Sequence, residues 1–310
     1  MTATTSKPRI DLYVHDPKWG KLPPGVEQWG VVPAVVVDSQ DRVYVHRRNI
    51  PSVVVYDPDG NIVKIWGKEG EQFAAGAHGL HLEQEADGNE YLYFTDTKTH
   101  SVVKTDLDGR EVWRLGTGQP VDGAPFNRPT DISLTPEGDF YISDGYGNRR
   151  VHHYSKDLQL IKSWGEEGTG PGQFVLVHDV WFDTRGGQRR LWVADRTNNR
   201  IELFTPEGEF VEEKTGFRRP NGMWIDKNGY MYVAELDARV TILDPHDNVV
   251  GYIGGHGADD LLAPEAERTY PPRTDGTLLK PHCIWGDSLG NLYVSEVEDG
   301  ARIQKFMPAK

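Results

Sequence analysis

Three histidines, His78, His178 and His282, stand at matching places in the segments GAHGLHL, LVHDVWF and KPHCIWG. Each opens an apolar, β-forming stretch. The corresponding residues in three sister segments, VVPAVVV, RPTDISL and RPNGMWI, are Ala34, Thr130 and Asn221. Three imidazoles brought together make a facial set of nitrogen donors with coordination positions left open, the arrangement of catalytic zinc. Iron or manganese also accept imidazole, so the donor set points to a first-row divalent ion, with zinc foremost. His46, His81, His100, His152, His153, His246 and His256 fall outside this register. A second departure lies three residues after each strand aromatic, where Arg47 stands in line with Asp96, Asp144, Asp195, Glu235 and Glu296. The carboxylates read as structural, pairing with arginines such as Arg149 and Arg200 or accepting turn hydrogen bonds. Arg47 cannot do that, and its fork of donors suits a carboxylate or a developing oxyanion.

What must position these residues is a sixfold repeat. Aromatic-led segments begin at Tyr44, Tyr93, Tyr141, Trp192, Tyr232 and Tyr293, spaced by about 50 residues, near the repeat length of propeller families. Each is preceded by one of the apolar segments above and a turn such as DSQDR, TPEGD or DSLGN, and is followed by two further short strands. Four antiparallel strands repeated six times predict an all-β, six-bladed propeller over residues 1–310, rather than a sandwich or a solenoid. Alternate blades are related by about 120°, so the three histidines should face one another across the central channel. IDLYVHD near the N-terminus is expected to pair into the last blade and close the ring, removing exposed edges. Residues 255–279 form the longest excess between repeats, rich in Pro and charge, and read as a loop insertion suited to a lid.

The chain's 47 acidic and 34 basic residues give a formal net charge of −13, which argues against nucleic acid or an anionic membrane as partner. A single cysteine, Cys283, allows no intramolecular disulfide. With neither a signal-peptide core nor a stretch of about 20 apolar residues, the expected location is the cytoplasm.

Several pieces together resemble the NHL-repeat propellers and, among them, the catalytic core of peptidyl-α-hydroxyglycine α-amidating lyase. They are VHRRN around Arg47, AHGL around His78, PTDISLTPEGDFYISDGYGNRRV around Tyr146, GPGQFVLVHDVWF around His178 with VADRTNNRI after it, and KPHCI around His282. The resemblance implies zinc at the three histidines, with Arg47 and Tyr146 as the catalytic arginine and tyrosine. It also implies a reaction that breaks the C–N bond of an N-acyl hemiaminal to give an amide and an α-keto acid. The family's Met-Pro-His-Asp is here Lys280-Pro281-His282-Cys283. The aspartate that helps hold a structural calcium is therefore replaced, and Lys280 brings a cation beside the metal. The expected function is a zinc-dependent lyase acting on a small molecule bearing a carboxylate. The alternatives are a lactonase-type hydrolase, whose relatives hold calcium through carboxylates, and a non-catalytic NHL interaction module.

Overall fold

The computed structural model describes residues 12–67, 75–116, 125–254, 276–297 and 302–309. Its strands form six sheets of four, each antiparallel throughout. The six innermost strands, numbered here as blades 1 to 6, are Ala34–Val37, Ala77–Gln84, Asp131–Leu134, Val177–Asp183, Pro220–Ile225 and Pro281–Gly286. Each touches the inner strands of its two neighbours, closing a ring around the channel. In blade 6 the fourth strand comes from the N-terminus: Tyr13–Asp16 pairs antiparallel with Ile303–Pro308, Tyr13 opposite Pro308. The predicted closure is present, and it joins the two ends of the chain within one sheet.

Local sequence sets the hairpins. At Asp38, Asp106, Asp226, Asp244 and Asp287 the carboxylate accepts backbone N–H groups two and four residues on. These aspartates mimic a backbone turn with their own side chains. The residue preceding the last of those donors has positive φ; it is glycine at 109, 229 and 290 and aspartate at 41 and 247.

The core is not one central mass but six seams, one between each pair of neighbouring blades. Ala34 and Val36 pack against Leu80, Leu82 and Phe94 of blade 2, while Val35 and Val37 pack toward Tyr293 and Ile303 of blade 6. Since successive side chains of a strand point to opposite faces, both faces of an inner strand meet a neighbouring blade. AVVV is accordingly buried at every position, with no polar alternation. The fourth strands face outward, as in Phe210–Lys214, where four of five residues are exposed.

Of the expected loop insertion, residues 255–275 lie outside the described residues. Residues 276–279 are buried, with Leu278 packed in the seam between blades 5 and 6.

Candidate functional site

A β-bulge delivers each histidine to the axis. Strand pairing skips between Ala77 and Leu80, between Val177 and Asp179, and between Pro281 and Cys283, so His78, His178 and His282 all sit on residues left out of the ladder. A bulge bends the strand and re-aims the side chain it carries. The three rings lie 4.7 to 4.9 Å apart, centroid to centroid, and one ligand atom from each falls within 4.8 Å of the others.

Each ring is held by the neighbouring blade. Nδ1 of His78 donates to the Thr130 carbonyl at 2.7 Å, that of His178 to Asn221 at 3.0 Å, and that of His282 to Pro33 at 2.7 Å. With the proton on Nδ1, each Nε2 presents a lone pair, the tautomer a metal ion requires. Burial, together with the positive charge of Arg48 and Arg196, holds the imidazoles neutral, with His282 pushed down to about 3. Three neutral nitrogens converging in a buried channel fit a zinc-like ion.

Tyr146 stands over this cluster. Its Oη lies 3.2 Å from His78 Nε2 and 3.4 Å from His178 Nε2. Arg196 Nη1 donates to the same oxygen at 3.3 Å and reaches Asn221 Oδ1 at 3.5 Å. The guanidinium carbons of Arg128 and Arg196 lie 4.9 and 5.5 Å from the tyrosine ring centroid. Gly145 makes the approach possible: a Cβ there would sit 1.6 Å from the Val177 carbonyl oxygen, just before His178.

Arg47, expected at the channel, is placed elsewhere. It is wholly buried, and its guanidinium donates to the carbonyls of Trp29 (2.9 Å), Gln28 (3.3 Å) and Pro51 (3.4 Å). The aligned carboxylates explain why. Asp144 accepts the N–H of Asn127, Asp195 those of Val175 and Leu176, Glu235 that of Arg218, and Glu296 those of Leu279 and Lys280. All these donors lie in the segment just before an inner strand. Arg47 performs the same clamp with polarity reversed, binding the Gln28 and Trp29 carbonyls of that segment instead of its amides, with Pro51 as a third acceptor. As expected, Arg200 pairs with Asp195; Arg149 instead meets Glu167 at 3.6 Å.

The next residue along is the one at the channel mouth. The N–H groups of Arg48, Thr97, Arg196, Leu236 and Val297 each donate to the carbonyl of the segment before the inner strand, which shows that these positions correspond between blades. Two of them are arginines. Arg48 and Arg196 lie within the motifs VHRRN and VADRTNNRI, and a register one residue further along would have found them. Lys280 is buried, its backbone N–H donating to Glu296. Cys283 turns from the axis: its thiol donates to the Val35 carbonyl at 3.4 Å, and burial raises its pKa.

Three residues further along the histidine-bearing strands stand His81, Trp181 and Trp285, with ring centroids 5.5 to 5.7 Å apart. At a strand rise of about 3.3 Å per residue this aromatic layer lies about 10 Å from the histidines, on the side away from Tyr146.

The NHL repeat family model matches residues 126–154. NHL repeat-containing protein 3 from Homo sapiens is 30% identical over an alignment covering 96% of this chain and 84% of that protein. Peptidyl-alpha-hydroxyglycine alpha-amidating lyase 1 from Drosophila melanogaster is 30% identical over 47% of this chain and 27% of its own length. Among solved structures, a gluconolactonase from Xanthomonas campestris superposes with a TM-score of 0.62 at 13% identity, covering 91% of this chain and 87% of that one, a likeness of fold. The chain belongs to the family of NHL-repeat six-bladed propellers, with amidating lyases among its relatives.

Proposed function

We propose that the chain is a metal-dependent lyase of the amidating type, cleaving a C–N bond at a carbinolamine-like carbon of a small acidic substrate. The observation that carries this reading is the convergence of three neutral Nε2 atoms with the Tyr146 hydroxyl within reach of two of them. His78, His178 and His282 would hold the ion, zinc by preference, which supplies Lewis acidity toward the carbinol oxygen.

The rest of the chemistry falls to side chains. The O–H electron pair becomes the carbonyl π bond, the C–N pair leaves on nitrogen, and one proton moves from oxygen to nitrogen. Tyr146 is placed to carry that proton, accepting it at Oη and returning it to the departing amide. Arg196 fixes the tyrosine through its bond to Oη. Among the described residues its Nε finds no hydrogen-bond partner, a donor that a substrate carboxylate would satisfy. Hydrolysis at the same site would consume water, whereas the lyase reaction consumes none.

The test is elemental analysis of untagged protein beside His178→Ala, followed by turnover of N-benzoyl-α-hydroxyglycine to benzamide and glyoxylate. Near-stoichiometric zinc in the parent, lost in a variant of unchanged circular dichroism, together with both products, supports the reading. A parent that takes up no transition metal from zinc-supplemented medium sinks it.

A further inference from the structure

Beside Tyr146, a cavity of about 510 Å³ is lined by Arg48, Ala75, Thr97, Lys98, His100, Arg128 and Tyr146. Its cations come from three consecutive blades. Arg48 follows the second strand of blade 1, Lys98 follows that of blade 2, and Arg128 precedes the inner strand of blade 3. All three are exposed. Among the described residues none of them forms an ion pair. Asp96, whose charge reaches Arg48, is buried and accepts the backbone N–H groups of Lys98 and Thr99. Arg48 and Arg128 repel each other electrostatically.

The arrangement runs against the rest of the chain, which carries an excess of acid. Like charges gathered at one rim, with no ion pair among the described residues, repel one another in the free protein, and an anion entering between them relieves that repulsion. They are also distinct from Arg196, which touches the tyrosine hydroxyl itself. One carboxylate at the reacting carbon would engage Arg196 and leave the other three cations, none of them ion-paired among the described residues, free to meet a second acidic group.

We infer that the substrate is dianionic, with a second acidic group held away from the reacting carbon by Arg48, Lys98 and Arg128. The inference rests on the proposed lyase site for the position of the first carboxylate. The second group is a carboxylate or a phosphate-like oxyanion, since guanidinium forks accept either.

Calorimetric binding to the zinc-loaded protein tests this with butyrate, succinate, glutarate and 3-phosphonopropionate. A dianion should bind at least tenfold more tightly than butyrate. The ratio should fall to near one in Arg48→Gln/Arg128→Gln, and Arg128→Lys should retain part of it. Whether succinate or 3-phosphonopropionate binds more tightly identifies the second group. Equal affinity for mono- and dianions overturns the inference. So does a dianion preference that survives in the double variant, because chelation by the metal would then account for it. Should the double variant fail to fold, Lys98→Gln and the salt dependence of the preference decide between the same two outcomes. Selective binding without turnover of dianionic hydroxyglycines would leave the subsite standing and fail the lyase reading; turnover without selectivity would do the reverse.

Discussion

Replacing Arg47 by methionine separates a structural clamp from a catalytic cation. Methionine keeps most of the aliphatic volume but removes every donor, leaving the carbonyls of Gln28, Trp29 and Pro51 without that partner in a part-buried place. A buried polar group left unpaired costs about 1–3 kcal/mol. The 2.9 Å bond to Trp29 counts fully, and the contacts at 3.3 and 3.4 Å count for about half each. Burial also disfavours the charged guanidinium, which lowers its pKa, so removing that charge offsets part of the loss. Because water reaches part of these carbonyls, each loss sits at the low end of that range, and the net is a destabilisation of about 2 kcal/mol. With a urea m-value of about 3 kcal/mol/M for a chain of this size, the midpoint of unfolding, followed by tryptophan fluorescence, should fall by about 0.7 M. Arg196→Met, which loses only the 3.3 and 3.5 Å contacts of a half-buried side chain, should keep its midpoint within about 0.3 M while turnover falls by about a hundredfold or more. If Arg47→Met keeps the parent midpoint and loses turnover while Arg196→Met stays active, the assignment is refuted and Arg47 acts at the channel.

Acid should weaken the metal-free protein through its histidines. An unfolded histidine takes up a proton below about pH 6.5, whereas burial keeps His282 neutral down to about 3. Between those values the unfolded state holds the extra proton, so stability falls as pH drops, by up to about 1.4 kcal/mol per pH unit for each such histidine. His282→Gln should therefore show a shallower loss of urea midpoint between pH 7 and 5 than the parent; identical slopes would contradict the burial argument. Gly145→Ala puts a methyl group 1.6 Å from the Val177 carbonyl, and relief requires moving the Tyr146 loop or the strand that bears His178. A loss of about 2–3 kcal/mol in stability, with lower zinc content and turnover, is the expected outcome, and wild-type zinc content and turnover in this variant would argue against so close a fit.

The sequence by itself determined the ring and which three histidines gather at its axis. Six aromatic-led segments spaced by about 50 residues on average point to a closed ring, because each sheet's buried faces need a neighbour on both sides. Within that ring, His78, His178 and His282 follow from register alone, since alternate blades of a sixfold ring meet at its axis. Tyr146 came through the resemblance carried by SDGYGNRR, not from spacing. What the tertiary structure decided was direction. Neither the bulges that push the histidines out of their ladders nor the carbonyls of Thr130, Asn221 and Pro33 that fix their tautomer are written in a local pattern; the bulges arise in pairing with the next strand of the same blade, and the carbonyls belong to the next blade. The same reason moved the arginine. Side chains one residue apart on an extended chain face opposite ways, so Arg47 locks the segment before blade 1 while Arg48 stands at the mouth. Only the contacts across a seam tell one direction from the other.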